Sequence, residues 1–271
     1  MNLSSKYPTV KLLGVDVFAL RMNEVIGIAD QCIAGREKLL VGIVNVAKIV
    51  NIRKDTVLRA GLNKADLVLA DGMPLVWLSR MLSDPLPERI AGIDLMYRLL
   101  ERASEKNYSV YFLGAKPEVV EKVVEVVKKS YPGLRIAGYR DGYFSQPEEY
   151  NVIENINKSS ADILFVAISS PKKEIFLEKW RSHINVPICH GVGGSFDVLA
   201  GVTKRAPLWM QKFGLEWLYR LIQEPRRMWK RYLVTNVIFI KLGLEAILRA
   251  GLNKLFRKSV NVSVSSNKEQ N

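Results

Sequence analysis

The chain has 271 residues, 48% of them hydrophobic, and a formal net charge of +13. That length and apolar content support one sizeable α/β core with an extension, and they exclude wholesale disorder. Only Cys32 and Cys189 are present, far apart in sequence, which excludes a disulfide-stapled scaffold and suits buried packing residues in a reducing compartment.

The first residues, MNLSSKYPTVKLLGVDVFALRMNE, hold no apolar run long enough for a secretory signal before Asp16 interrupts it. Beyond them, short runs rich in Val, Ile and Leu predict strands at 39–44, 66–70, 109–114, 134–139, 162–167 and 186–193. Between these lie KIVNIRKDTVLRAGL, PEVVEKVVEVVKKSY and PKKEIFLEKWRSH, whose apolar residues recur at three- and four-residue spacing as in amphipathic helices. Such alternation predicts an α/β fold, a Rossmann-like parallel sheet with helices on both faces. In such sheets ligands bind beyond the C-terminal ends of the strands.

The residues that follow those strands form a polar rim: Asn45, Asp71-Gly72, Gly114 to Lys116, Tyr139 to Gly142, Ser169 to Glu174, and Gly191 to Asp197. Asn, Asp, Ser and Gly there are first of all turn and helix-cap residues, and for Gly114 and Gly142 that reading is preferred. Asp71 is different. It stands between the apolar runs LVLA and MPLVWL, where shielding from water would raise its basicity and suit it to act as a general base.

Several motif readings fail. GVGGSF at 191–196 has Phe196 where a dinucleotide fingerprint needs a small residue, and no GxxxxGK[ST] loop occurs. His183 and His190 have no partner at ligand spacing except Cys189, which points the other way along a strand, so no metal site is expected. There is also no Asp-x-Asp pair, so cationic side chains and helix N-termini would have to meet any diphosphate.

The charge is concentrated near the C-terminus. Residues 203–258 carry thirteen Lys and Arg against three Glu, whereas the first 202 residues hold 26 against 23. Such asymmetry points to an anionic partner, either nucleic acid or an anionic membrane surface. The neighbouring run LVTNVIFIKLGLEAIL is interrupted by Asn236, Lys241 and Glu245, too polar for a spanning helix but suited to lying along an interface.

From about Leu12 to Leu248 the chain resembles the bacterial WecG/TagA/CpsF glycosyltransferases. The carriers are NVAKIVNIRKDTVLRAGLNKADLVLADGMPLVW, ERIAGIDL, FLGAKPEVVEK, SPKKE, GVGGSFDVLAG and KRAPLWMQKFGLEWLYRLIQEPRRMWKRY, in that order. The resemblance implies inverting, metal-independent transfer of a sugar from a UDP-sugar to a sugar on polyprenyl diphosphate. It implies no cofactor, and places the reaction in teichoic-acid, exopolysaccharide or other cell-envelope synthesis. It further implies that Asp71 is the catalytic base and that Asn45, Arg89 and Asp197 line the pocket. Ile43 and Lys173 depart from the family's usual Thr and Gln. The first loses a hydroxyl and the second adds a charge able to meet a diphosphate or a carboxylated sugar, so N-acetylmannosamine, glucose and a uronic acid all stay open as donor sugars. Without the family pattern, Arg89 reads as an ion pair with Glu88 or Asp94.

A lipid-linked acceptor accounts for the basic, aromatic C-terminal segment. Arg220, Arg227, Lys230 and Arg231 would attract anionic lipid while Trp217 and Trp229 settle at headgroup level, or an arginine of the segment would meet the UDP leaving group. Nucleic acid is the weaker partner, because the attached apolar face has no use on DNA or RNA. The expected organisation is a catalytic domain over 1–202, a membrane-associating helical appendage over 203–258 and a disordered tail over 259–271. The expected setting is the cytoplasmic face of the bacterial inner membrane, peripherally bound, as a homo-oligomer. The alternative is a non-catalytic nucleic-acid or membrane-surface binding module on a nucleotide-binding fold.

Overall fold

A computed structural model describes residues 3–266, with the side chains of Arg227 and of residues 253–266 outside the described residues. The chain opens with an antiparallel hairpin of β1 (Thr9–Leu12) and β2 (Val15–Phe18). Leu13 and Gly14 make its two-residue turn with φ of 49° and 91°, the left-handed pair that matches hairpin twist and that glycine adopts without strain. These strands are too short for their alternation to stand out in the sequence. Val10, Leu12, Val15 and Val17 are nevertheless buried against the main body.

Helix α1 (Met22–Gly35) leads into β3 (Leu39–Val44), followed by α2 (Val46–Asn51), α3 (Thr56–Asn63), β4 (Leu67–Ala70), α4 (Met73–Met81) and α5 (Gly92–Lys106). Then come β5 (Ser109–Gly114), α6 (Pro117–Ser130), β6 (Arg135–Arg140), α7 (Glu149–Lys158), β7 (Ile163–Ala167), α8 (Lys172–Trp180) and β8 (Ile188–Gly191). The last helices are α9 (Ser195–Leu199), α10 (Leu208–Lys212), α11 (Glu216–Gln223) and α12 (Pro225–Ser266). All six predicted strands are present, each end within two residues of its expected position.

Those six form one parallel sheet in the order β4-β3-β8-β7-β5-β6. The inner strands are apolar on both faces because helices cover both: every residue of β5 and β7 is buried. Phe112 and Phe165 stack at 5.9 Å, and Phe196 meets Phe112 edge-on at 5.8 Å. Phe196, the residue that spoils the dinucleotide fingerprint, is therefore a core side chain. Cys32 and Cys189 are buried and unpaired, as expected, and burial pushes the Cys189 thiol up to about 12.

The polypeptide after residue 202 folds back onto this body. Phe239 of α12 is buried in the cluster formed by α2, α3 and α4, and Thr235 is buried with its hydroxyl donating to Arg231 O at 2.8 Å. The tail expected from residue 259 falls partly on α12, which continues to Ser266, and partly on 267–271, which lie outside the described residues.

Candidate active site

A cleft of about 730 Å³ opens beyond the C-terminal ends of β4, β3, β8 and β7, with α11 and α12 completing its wall. Its position follows from the strand order. The chain leaves β3 for β4 at one edge, builds the far half of the sheet, and returns to place β8 beside β3. At that switch the loops after neighbouring strands diverge and leave a crevice.

Asp71 sits at the head of the loop after β4, its backbone N–H bonded to Val44 O at 2.7 Å. Gly72, with φ of 116°, makes the turn that starts α4, a conformation that side chains disfavour. The Asp71 carboxylate keeps 30% of its surface open to the cleft. Burial nevertheless raises its pKa to about 6, with Arg89 opposing and Glu216 and Asp94 adding to the rise. A carboxyl so tuned is half-ionised near pH 6 and mostly carboxylate at neutrality, where it can take a proton from a sugar hydroxyl.

Arg89 reaches the same spot but is largely committed. It lies 3.9 Å from Asp71, 3.0 Å from Asp94 and 2.5 Å from Glu216. Arg205 joins this cluster at 2.6 Å from Asp94 and 3.5 Å from Glu216. The ion pair expected with Asp94 therefore exists; Glu88 instead accepts from the backbone N–H of Met22.

On the other side of the cleft, Asn45 caps α2, its Oδ1 accepting from Lys48 N at 2.9 Å, and also lines the cavity. Lys48 and Lys173 both approach the buried carboxylate of Glu174, at 2.9 and 3.4 Å. Burial holds the Lys173 ammonium below its usual pKa, against the pull of Glu174. Gly191 makes room for this lysine: an added Cβ would stand 2.6 Å from Lys173 Cδ. Behind the site His190 is buried, and its Nε2–H donates to Gly92 O at 2.9 Å. Burial depresses its pKa to about 4, so it is a neutral core histidine tying β8 to the start of α5. Among the described residues no cluster of three metal-ligating side chains occurs.

The remaining sequence-predicted residues separate. Trp217, Arg220 and Arg231 line the cleft, and Asp197 stands next to its lining residue Gly194, with its Oδ2 3.6 Å and Arg220 Nη2 3.9 Å from where a Cβ there would lie. Trp229 and Lys230 are exposed outside it, and the side chain of Arg227 lies outside the described residues. Arg220 is near enough to Asp71 to oppose the rise in its pKa. Lys48, Asp94, Glu174, Arg205 and Glu216 were not marked as site residues by the sequence. Lys48 meets Glu174 across 126 positions and Arg89 meets Glu216 across 127, and only the folded sheet brings them together.

Residues 10–253 match the model of the Glycosyl transferase WecG/TagA/CpsF family. The chain is also similar to two curated proteins, both called N-acetylglucosaminyldiphosphoundecaprenol N-acetyl-beta-D-mannosaminyltransferase. One, from Bacillus spizizenii (strain ATCC 23059 / NRRL B-14472 / W23), is 43% identical over 174 residues, covering 64% of this chain and 66% of the relative. The other, from Bacillus subtilis (strain 168), is 40% identical over 172 residues with the same coverage, 64% and 66%. The chain thus spans slightly under two thirds of the length of each.

Proposed function

Because this chain belongs to the WecG/TagA/CpsF glycosyl transferase family, we propose that its cleft transfers a sugar from a UDP-sugar to a sugar carried on polyprenyl diphosphate. The observation that carries the mechanism is Asp71, raised to about 6 at the head of the loop after β4 and opposed by the charges of Arg89 and Arg220. In the forward step Asp71 takes the proton of the acceptor hydroxyl. The freed oxygen attacks the anomeric carbon from the face opposite UDP, and the bond from that carbon to the diphosphate oxygen breaks with inversion. Arg220 and Arg231, which line the cleft, stabilise the charge gathering on UDP without a required metal. Arg89 has the different task of holding Asp71, Asp94 and Glu216 in register.

The name shared by the two relatives supports N-acetylmannosamine as the donor sugar and N-acetylglucosamine as the acceptor sugar. Lys173, which left a uronic acid open, is engaged with Glu174, so its charge no longer argues for a carboxylated donor. Among the described residues no helix is long and apolar enough to cross a membrane. The exposed Trp229 and Lys230 supply peripheral attachment, at the cytoplasmic face, to the bilayer that holds the acceptor.

The test is a donor panel of UDP-N-acetylmannosamine, UDP-glucose and a UDP-uronic acid against one N-acetylglucosaminyl diphosphate lipid, followed by UDP release. Fastest release with UDP-N-acetylmannosamine is expected, and it should survive EDTA. No acceptor-dependent release from any donor would reject the reading.

A further inference from the structure

Part of the cleft is less polar than a nucleotide sugar and an acceptor sugar require. Around Asp71 the cleft is polar, lined by Asn45, Lys48, Lys173 and the loop after β8. Elsewhere it is apolar, lined by Met73, Trp77 and Met81 of α4 and by Ile240, Leu244 and Ile247 of α12. The two helices face one another there, since a Cβ added at Gly243 would lie 3.5 Å from Leu78 Cδ1. Met81 is 61% exposed, Ile240 59% and Leu244 56%, so these large apolar side chains are not serving as core.

The apolar lining does not stop at the mouth of the cleft. Leu233, Val237, Ile240, Leu244 and Leu248 are all exposed and recur every three or four residues, which puts them in one stripe along α12. Ile240 and Leu244 belong to both stripe and cleft, so the exposed apolar face of α12 is continuous with the cleft that holds Asp71. From Thr235 to Ile247 it runs for about 18 Å along the helix. Lys204, Arg220 and Arg231 line the same cleft. Cations at the head and hydrocarbon surface along the tail complement an amphiphile with an anionic headgroup. A protein partner resting on the stripe would have no reason to continue inward to the reacting carboxylate.

We propose that this apolar arm, where Met73, Trp77 and Met81 of α4 face Ile240, Leu244 and Ile247 of α12, seats the prenyl chain of the lipid-linked acceptor next to its diphosphate. The arm selects acceptors by their hydrocarbon and orients the acceptor sugar toward Asp71. The inference rests on the glycosyltransferase reading above and adds to it a place for the lipid within the catalytic cleft, distinct from any contact with the bilayer.

The experiment uses the full chain in detergent micelles, so that vesicle attachment does not enter, and two acceptors sharing one N-acetylglucosaminyl diphosphate. One carries an undecaprenyl chain and the other an ethyl group. Met81→Asn combined with Leu244→Asn changes two exposed side chains on which folding does not depend. The double variant should lose about 10-fold or more in kcat/KM on the undecaprenyl acceptor, the scale of lost apolar contact, and less than about 2-fold on the ethyl acceptor. Leu233→Asn with Val237→Asn, on the stripe but outside the cleft, should leave both values unchanged. Equal losses on both acceptors, no loss on either, or an equal loss in the outer-stripe variant would overturn the proposal. So would a change in sedimentation on Met81 and Leu244 substitution without a kinetic change, which would assign the arm to a second copy of the chain. Wild-type protein that transfers to neither acceptor would reject the glycosyltransferase reading itself, and this proposal with it.

Discussion

Arg89 Nη1 stands 3.9 Å from Asp71 Oδ1 while the same guanidinium makes its close bonds to Asp94 and Glu216. Its charge is shared among three carboxylates, so it offsets only part of what burial does to Asp71, which titrates near 6. For a general base, kcat/KM should therefore fall on the acid side with an apparent pKa of about 6. Asp71→Asn should lower kcat by about 10²-fold or more and abolish that limb. UDP release followed from pH 5 to pH 8 measures both. Turnover like wild type in the Asn variant would remove Asp71 from the chemistry.

The same shift has a consequence for stability. The folded pKa of Asp71 lies above its unfolded value of 3.8. Its contribution is therefore fully present below pH 4 and is lost as pH rises through about 6, because the native state then carries a carboxylate that burial disfavours. Two pKa units correspond to about 3 kcal/mol, which water reaching the exposed part of the carboxylate reduces to the order of 1 kcal/mol. Asp71→Asn should match wild type in thermal melts at pH 4 and melt higher at pH 7.5. A variant that melts lower at pH 7.5 than at pH 4, relative to wild type, would contradict the sign.

Glu216 offers an independent handle on that carboxyl. It raises the Asp71 pKa directly and draws Arg89 toward itself. Glu216→Gln removes one negative charge and frees Arg89 to pair with Asp71, so both effects act in one direction. The acid limb of kcat/KM should move below 6. A limb that stays in place or moves up would mean that Arg89 does not report to Asp71.

The strands were legible because a sheet covered on both faces writes itself as continuous apolar runs, as in SVYFLG and ILFVA. Asp71 was legible for a related reason: a carboxylate between two such runs has to be shielded. Of the cluster beside it, Arg89 and its pairing with Asp94 were legible, but Arg205 and Glu216 were not, since each is an ordinary surface type whose role depends on where the sheet and α11 bring it. The hairpin of β1 and β2 escaped because two strands of four residues, burying alternate side chains, carry little periodic signal. The division of the basic segment was equally hidden. Arg220 and Arg231 read like Lys230 in the sequence, yet the first two line the cleft and the third does not.

Gly191 separates binding from folding. Its missing side chain leaves room for Lys173, whose Cδ would be 2.6 Å from an added Cβ. The obstructed atoms belong to the far part of a flexible chain, so Gly191→Ala should cost little stability, about 1 kcal/mol or less. Lys173 would have to swing away from Glu174 and into the cleft. The KM for the UDP-sugar should rise several-fold with the melting temperature nearly unchanged. An unchanged KM would place the donor away from the loop after β8.

The C-terminal segment can now be divided by substitution. Trp229 is 54% exposed and lies with Lys230 outside the cleft, whereas Arg220 and Arg231 line it. Trp229→Ala with Lys230→Glu should weaken sedimentation with anionic vesicles. Each basic residue near such a surface contributes about 1 kcal/mol, and loss of the indole adds to the effect. Turnover on a short water-soluble acceptor should be preserved in that variant. Arg220→Ala should do the reverse: vesicle binding changes little, while kcat falls on soluble and membrane-embedded acceptors alike, because a cation facing the departing diphosphate is missing. High salt should mimic the first variant only in part, since screening leaves the apolar stripe of α12 in contact with the bilayer. If Arg220→Ala releases the protein from vesicles without slowing the soluble reaction, the two arginines of the cleft belong to the anchor, and the leaving group must be met by the cluster around Arg205 instead.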